Sequence, residues 1–100
     1  MSCQVAIDRE RIAAFCRKWK VRELSLFGSA VRKDFRPDSD VDVLVSFMPD
    51  DPWDLYDIVA MRDELAAIFG REVDLVEKEG LRNPFRRHRI LTTREVIYAR

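Results

Sequence analysis

The chain has 100 residues, of which 47% are hydrophobic and 36% are charged, and its formal net charge is zero. This length predicts a single domain over residues 1–100, and the composition is typical of a folded, soluble protein. No apolar run approaches the roughly 20 residues that a membrane helix needs. The N-terminus lacks a charged leader followed by an apolar block. We therefore expect a cytoplasmic protein with no membrane association.

The charged residues are segregated along the chain. Residues 38–64 carry nine acids against one base, whereas residues 82–100 carry six arginines against one acid. This asymmetry indicates an acidic half able to bind cations and a basic C-terminal segment able to meet phosphates or an acidic partner. The alternative for the basic segment is a solvated helix face.

The two cysteines do not indicate a metal site. Cys3 and Cys16 have neither CxxC spacing nor a matching histidine pair, which argues against zinc. Cys16 falls on the apolar face of a predicted helix and is most simply a core thiol. The single histidine, His88, lies in the basic segment far along the chain, so a catalytic cysteine would lack a partnering base.

The first half of the chain predicts a helix, a strand, a short helix and a second strand. A helix over residues 8–20 begins with Asp8 as N-cap and carries one apolar stripe, consisting of Ile12, Phe15, Cys16 and Trp19. A strand follows over residues 22–27. Ser29 can cap a short helix that runs to about Asp34, and residues 36–38 have turn chemistry.

Residues 40–47 predict the second strand, because apolar and polar side chains alternate there. Its valines point to one side, toward a core, and Asp40 and Asp42 point to the other side, toward solvent or cations.

The second half predicts a long helix, a third strand and further helices. Asp51 as N-cap, Pro52 at the first helical position and Asp54 in the first turn mark the start of the long helix. Its apolar stripe consists of Leu55, Ile58, Val59, Leu65, Ile68 and Phe69. Gly70 ends it, and a strand over residues 72–76 carries Asp74. Asn83 can cap another helix, and the segment from Thr93 is predicted to be helical. The expected architecture is α+β, a small sheet covered by helices.

The spacing of the aspartates predicts a cation site. Asp40 and Asp42 share one face of a strand and lie within reach of one cation, and Mg²⁺ is the natural choice because it binds carboxylates together with substrate phosphates. Asp74 is the third candidate. Solvated surface carboxylates are the alternative. A calcium loop starting at Asp38 is excluded, because Val43 stands where glycine is required and Pro49 where glutamate is required.

Gly28 and Ser29 predict a phosphate-binding turn. Gly28 would let the backbone approach a phosphate, and the Ser29 hydroxyl and the following amides would donate to it. The alternative is an ordinary turn after a strand. A Walker A loop is excluded because no Gly-Lys-Ser/Thr sequence follows.

Together, the residues GSAVRKDFRPDSDVDVLV fit the pattern GSx₁₀DxD and resemble the DNA polymerase beta-like nucleotidyltransferase superfamily. The short chain is similar to the minimal nucleotidyltransferase branch. The resemblance covers about residues 24–91, including the later VDLV with Asp74. One position departs from the family pattern, because Lys33 follows Arg32 where members commonly carry glycine.

The resemblance implies a fold, an activity and a site. Gly28 and Ser29 would hold the terminal phosphates of ATP, with Arg32 adding charge, unless it is an ordinary surface arginine, and Ser39 orienting the loop. Asp40 and Asp42 would bind two Mg²⁺ ions. Asp74 would complete the second metal site and help to deprotonate an attacking hydroxyl, and pyrophosphate would leave.

The resemblance also implies a partner. The minimal branch resembles the antitoxin of two-gene toxin–antitoxin modules, whose toxin is a HEPN-domain ribonuclease. The implied activity is transfer of AMP from ATP to a tyrosine hydroxyl of that toxin, without direct nucleic-acid binding. One alternative is an antitoxin that neutralises its partner by contact alone. Another is a nucleotidyltransferase acting on a small-molecule hydroxyl, although such enzymes usually carry an additional substrate-binding domain.

Overall fold

A computed structural model describes residues 7–28, 40–48 and 53–99 of the chain. In chain order the elements are α1 (Arg9–Lys18), β1 (Val21–Phe27), β2 (Val41–Phe47), α2 (Leu55–Phe69), β3 (Val73–Glu77), α3 (Pro84–Thr93) and β4 (Glu95–Ala99). A short 3₁₀ turn over Lys78–Gly80 follows β3. This is the α+β architecture that the sequence predicts. The predicted short helix at 29–34, the turn at 36–38 and Cys3 lie outside the described residues.

The four strands form one mixed sheet in the order β3-β2-β1-β4. β1 is antiparallel to both β2 and β4, whereas β3 is parallel to β2. The parallel pair requires a crossover connection, and α2 provides it. The end of β1, the start of β2 and the start of β3 consequently meet at one end of the sheet. Because Phe27, Asp42 and Asp74 pair there in register, we call it the Asp42 end.

One face of the sheet carries the main core. The valines of β2 and the leucines of β1 are buried there against α1 and α2, as the alternating pattern predicts. Both helices contribute apolar side chains to this cluster, namely Ile12, Phe15 and Cys16 from α1 and Met61, Leu65 and Phe69 from α2. The prediction that Cys16 is a core thiol is confirmed.

The opposite face carries α3 and a smaller apolar cluster of Phe27, Leu44, Leu81 and Ile90. Polar contacts also tie the segment after β3 to this face. The Glu23 carboxylate lies 3.2 Å from the Arg94 guanidinium and 3.9 Å from the Lys78 ammonium. The side of β2 that carries Asp42 is therefore partly covered: Asp42 is half-buried, and Leu44, further along the strand, is buried.

The helix ends follow the predicted capping rules in three places. The Asp8 carboxylate accepts a hydrogen bond from the Arg11 N–H (3.2 Å) at the start of α1. Asn83 caps α3 with Pro84 as its first residue. Gly70 ends α2 in the left-handed conformation, at φ 69°, which glycine adopts without a steric penalty. Among the described residues, no helix is both long and apolar enough to cross a membrane.

The prediction for the start of α2 is wrong. The helix begins at Leu55, and its N-cap is Asp54, not Asp51. Asp54 accepts from the Asp57 N–H (2.8 Å), and the Asp57 carboxylate accepts from the Asp54 N–H (3.1 Å). This reciprocal capping box satisfies two backbone donors, which explains why the later aspartate starts the helix. Asp51 itself lies outside the described residues.

The prediction of a C-terminal helix from Thr93 is also wrong. α3 ends at Thr93, and β4 follows as an edge strand antiparallel to β1. The β-branched residues Val96 and Ile97 suit a strand, and pairing with β1 buries Ile97 in the main core. Pairing with β1 therefore determines the conformation of this segment. The sequence analysis did not foresee this pairing.

Two neighbouring residues of β4 test the strand assignment. Ile97 is 7% exposed and Val96 is 46% exposed. Ile97→Ala should lower the free energy of unfolding by about 2–4 kcal/mol, because it leaves a cavity in the core. Val96→Ala should cost less than about 1 kcal/mol, because exposed positions tolerate truncation. Urea unfolding followed by circular dichroism measures both, and equal losses would contradict the assignment.

Candidate active site

Two carboxylates stand side by side at the Asp42 end. Asp42 of β2 and Asp74 of β3 are register partners in the parallel pair, and neighbouring strands lie roughly 4.8 Å apart. A backbone hydrogen bond from the Val41 N–H to the Glu72 carbonyl (2.9 Å) anchors this end of the pair. Because register partners in parallel strands point the same way, both side chains leave the same face of the sheet.

Gly28 lies against Asp42. It directly follows β1, and its φ is +64°, in the left-handed region that favours glycine. A Cβ atom at this position would overlap the Oδ2 atom of Asp42 and would lie 3.1 Å from its Cγ. The sequence predicts Gly28 as a point where backbone approaches phosphate. The structure adds that the missing side chain leaves room for the Asp42 carboxylate.

Asp40 occupies a different position from Asp42. It lies just before the first residue of β2 and is exposed. It lines a groove of about 310 Å³ together with Arg62, Asp63, Ala66, Glu72 and Val73. The groove therefore opens between α2 and the start of β3, and Asp40 joins it to the Asp42 end of the sheet.

The structure brings together some of the predicted site residues. Gly28, Asp42 and Asp74 are adjacent, with Asp40 two residues before Asp42. Ser29, Arg32 and Ser39, as well as Lys33, lie outside the described residues. Within residues 7–28, 40–48 and 53–99, no three His, Cys, Asp or Glu side chains converge as a ready-made metal cluster.

The donors at this end nevertheless suit a hard cation. Mg²⁺ prefers oxygen ligands and is commonly held by one or two carboxylates together with substrate phosphates. The Asp42 and Asp74 side chains supply two such carboxylates in register. Like charges held this close repel each other, so a cation between them relieves the repulsion. The pair therefore fits a site that becomes complete when the triphosphate of a nucleotide brings further oxygens.

The sequence analysis did not single out the groove beside Asp40. Arg62 and Asp63 lie on α2, where their side chains approach within 3.7 Å of each other, and Glu72 directly precedes β3. Charged residues on a helix are ordinarily solvated, so their types carried no signal. A usable signal was topological: a helix that ends at Gly70 and leads into β3 brings its last turns beside the start of that strand.

The mixed sheet and its crossover helix define a small α+β protein with two carboxylates side by side at one end of the sheet. A family model described as the nucleotidyltransferase domain matches residues 9–97. The chain therefore belongs to the nucleotidyltransferase domain family, and the predicted resemblance to minimal nucleotidyltransferases is confirmed.

Relatives and solved structures agree with this assignment. The protein adenylyltransferase MntA of Thermococcus cleftensis is 37% identical over 81 residues, which are 81% of this chain and 77% of the relative. A solved minimal nucleotidyltransferase is 31% identical with a TM-score of 0.69, and the match covers 86% of this chain and 85% of that one.

Two toxin–antitoxin structures share the fold. A toxin–antitoxin with AMP-PNP gives a TM-score of 0.74 at 21% identity, over 94% of this chain and 75% of that chain. The structure of a tri-AMPylated HEPN toxin of Shewanella oneidensis in complex with an MNT antitoxin gives a TM-score of 0.64 at 20% identity. This match covers 92% of this chain and 70% of that chain. At these identities the likeness concerns the fold alone.

The two left-handed glycines provide a matched test of the contact with Asp42. Gly28→Ala and Gly70→Ala should each cost about 1 kcal/mol from backbone strain, because both have a positive φ. Only Gly28→Ala must also displace Asp42, since nothing lies within 4 Å of a Cβ at Gly70. It should therefore lose more stability, and it should slow nucleotidyl transfer about 100-fold.

Urea unfolding and a transfer assay with labelled ATP measure these effects. Equal transfer rates in the two glycine variants would contradict a functional role for the contact between Gly28 and Asp42.

Proposed function

We propose that this chain is a Mg²⁺-dependent protein adenylyltransferase that acts as an antitoxin. It transfers AMP from ATP to a tyrosine hydroxyl of a cognate HEPN-domain ribonuclease and thereby neutralises that toxin. The relative from Thermococcus cleftensis is named a protein adenylyltransferase. The fold is shared with an MNT antitoxin bound to an AMPylated HEPN toxin. These two likenesses support the choice of substrates.

The register pairing of Asp42 with Asp74, beside Gly28, carries this proposal. Neither aspartate is needed for packing, because the apolar neighbours Val41, Val43 and Val73 enter the core instead. Like charges on adjacent strands also repel each other. The arrangement is therefore better explained by chemistry at this end of the sheet than by folding.

The residues of the chain have separate roles in the proposed reaction. The backbone at Gly28 and the Ser29 hydroxyl bind the terminal phosphates, Arg32 adds positive charge, and Ser39 orients the loop before Asp40. Asp74 accepts the proton of the attacking hydroxyl. The hydroxyl oxygen forms a bond to the α-phosphorus of ATP, the bond from that phosphorus to the bridging oxygen breaks, and pyrophosphate leaves with that oxygen.

The three aspartates Asp40, Asp42 and Asp74 would hold the metal. Bound Mg²⁺ supplies positive charge that stabilises both the attacking and the leaving oxygens during such a displacement. Asp42 would hold this charge beside the phosphates, and Gly28 keeps the Asp42 carboxylate free of steric conflict. Asp40 lines the groove next to the Asp42 end.

The proposal predicts a covalent product. Incubation of this protein with its cognate HEPN-domain protein, ATP and Mg²⁺ should add one or more AMP masses to a tyrosine of that protein. Intact-mass and fragment-ion mass spectrometry detect the change. Relief of toxicity without any mass gain would reject the enzymatic function in favour of neutralisation by contact.

Carboxylate variants and metal removal test the site. Asp42→Asn and Asp40→Asn should each reduce the transfer rate by at least about 100-fold, because each removes a charge that stabilises the transferring phosphate. Glu10→Gln, an exposed acid on α1, is the control and should keep the wild-type rate. EDTA should abolish transfer, and added Mg²⁺ should restore it. Wild-type rates in both aspartate variants would show that the site is assigned wrongly.

A further inference from the structure

α2 exposes apolar side chains in its first two turns. Leu55 is 74% exposed, Tyr56 is 85% exposed and Val59 is 38% exposed. The periodicity of the sequence places Leu55 and Val59 on the buried stripe of the helix, and this prediction is wrong for both residues. The predicted Leu65 and Phe69 are buried, together with Met61. Several large apolar residues exposed next to one another are typical of an interaction surface.

The same flank of α2 continues to the groove beside Asp40. Leu55, Val59, Arg62 and Ala66 follow one another at i, i+4, i+7 and i+11, so they lie along one side of the helix. Arg62 and Ala66 line the groove with Asp40 and Glu72. This side of the helix spans roughly 16 Å from Leu55 to Ala66, at 1.5 Å per residue.

An edge strand runs beside this flank. β3 is the outermost strand of the sheet, next to β2. Among the described residues no strand pairs with its outer side, so that side presents backbone donors and acceptors in a row. β3 packs against α2. We call the surface between them the α2–β3 trough, with Leu55 and Val59 at one end and Ala66, Glu72 and Asp40 at the other.

The end of the trough that contains Asp40 is acidic. Asp40, Asp63 and Glu72 line the groove against one base, Arg62. An occupant with a basic residue at this point would be attracted, and an acidic one would be repelled. At the other end Leu55, Tyr56 and Val59 suit an apolar side chain. The complementary ligand is consequently a polypeptide that is apolar at one point and basic at another.

We propose that the α2–β3 trough is the docking surface for the part of the partner protein that carries the acceptor hydroxyl. Apolar side chains of the partner pack on Leu55 and Val59. A basic side chain meets Glu72 and Asp63, and the acceptor hydroxyl then reaches past Asp40 to the Asp42 end of the sheet, where Asp74 accepts its proton. The inference rests on the proposed function, because it assigns a protein acceptor to the same site. A ribonuclease suits this role, since it must present basic residues to bind RNA phosphates.

Kinetics of AMP transfer to the cognate HEPN-domain protein test the docking surface. The double variant Leu55→Ser, Val59→Ser should raise KM for that protein about tenfold or more and leave kcat and the affinity for Mg²⁺-ATP unchanged. Glu72→Lys should also raise this KM. The matched control is Val96→Ser on β4, where a valine side chain is 46% exposed at the opposite edge of the sheet from β3, and it should keep the wild-type KM.

Photo-crosslinking separates failure of the docking surface from failure of the proposed function. Benzoylphenylalanine at position 59 should crosslink to the HEPN-domain protein in an Asp42→Asn background, and benzoylphenylalanine at position 96 should not. Transfer of AMP with unchanged KM in the Leu55 and Val59 variants, or a crosslink only to a second copy of this chain, would overturn the docking surface alone. A crosslink at position 59 without any AMP transfer by the wild type would uphold docking and reject the enzymatic function. Neither crosslink nor transfer would overturn both.

Discussion

The parallel pairing of β2 with β3 is the contact on which the Asp42 end depends. Val41 and Val43 enter the main core on either side of Asp42, and Val73 does so beside Asp74. A slip of β3 by one residue would turn Val73 away from the core, so burial of the apolar neighbours enforces the register. The two aspartates are therefore adjacent because the residues around them pack, and they need no attraction for each other.

This register brings two special features together at one place. Two like charges lie side by side, and Gly28 adopts a left-handed conformation in contact with one of them. The repulsion between the charges costs free energy, which burial of the β1 and β2 side chains offsets. The left-handed conformation carries no steric penalty for glycine, but any other residue at position 28 would be strained and would displace Asp42. The space that Asp42 occupies therefore exists only while residue 28 has no side chain.

Local sequence signals predicted the parts of the fold that local physics determines. Asp8, Gly70 and Asn83 end or begin helices because their side chains or backbone satisfy nearby groups. The alternating valines predicted β2 because one face of that strand is buried. The signals failed where a distant element decides the outcome. Residues 95–99 form a strand because β1 pairs with them, and Leu55 is exposed although its spacing matches an apolar stripe. The sequence predicted which carboxylates belong to the candidate site. It did not predict that Asp40 lines the groove, because that position depends on how α2 meets β3.

α2 has a buried face and an exposed flank, and the two differ in what they contribute to the protein. Its buried face holds Met61 and Leu65 against the sheet and so supports the register of β2 with β3. Its connection through Gly70 delivers the chain to the start of β3 beside Asp42. Its exposed flank carries Leu55 and Val59, which contribute little to the core. Substitutions on this flank can therefore test the proposed docking surface without disturbing the paired aspartates, since exposed positions and core positions contribute nearly independently. In the proposed arrangement one helix supports the register of the paired aspartates with one face and binds the partner protein with another.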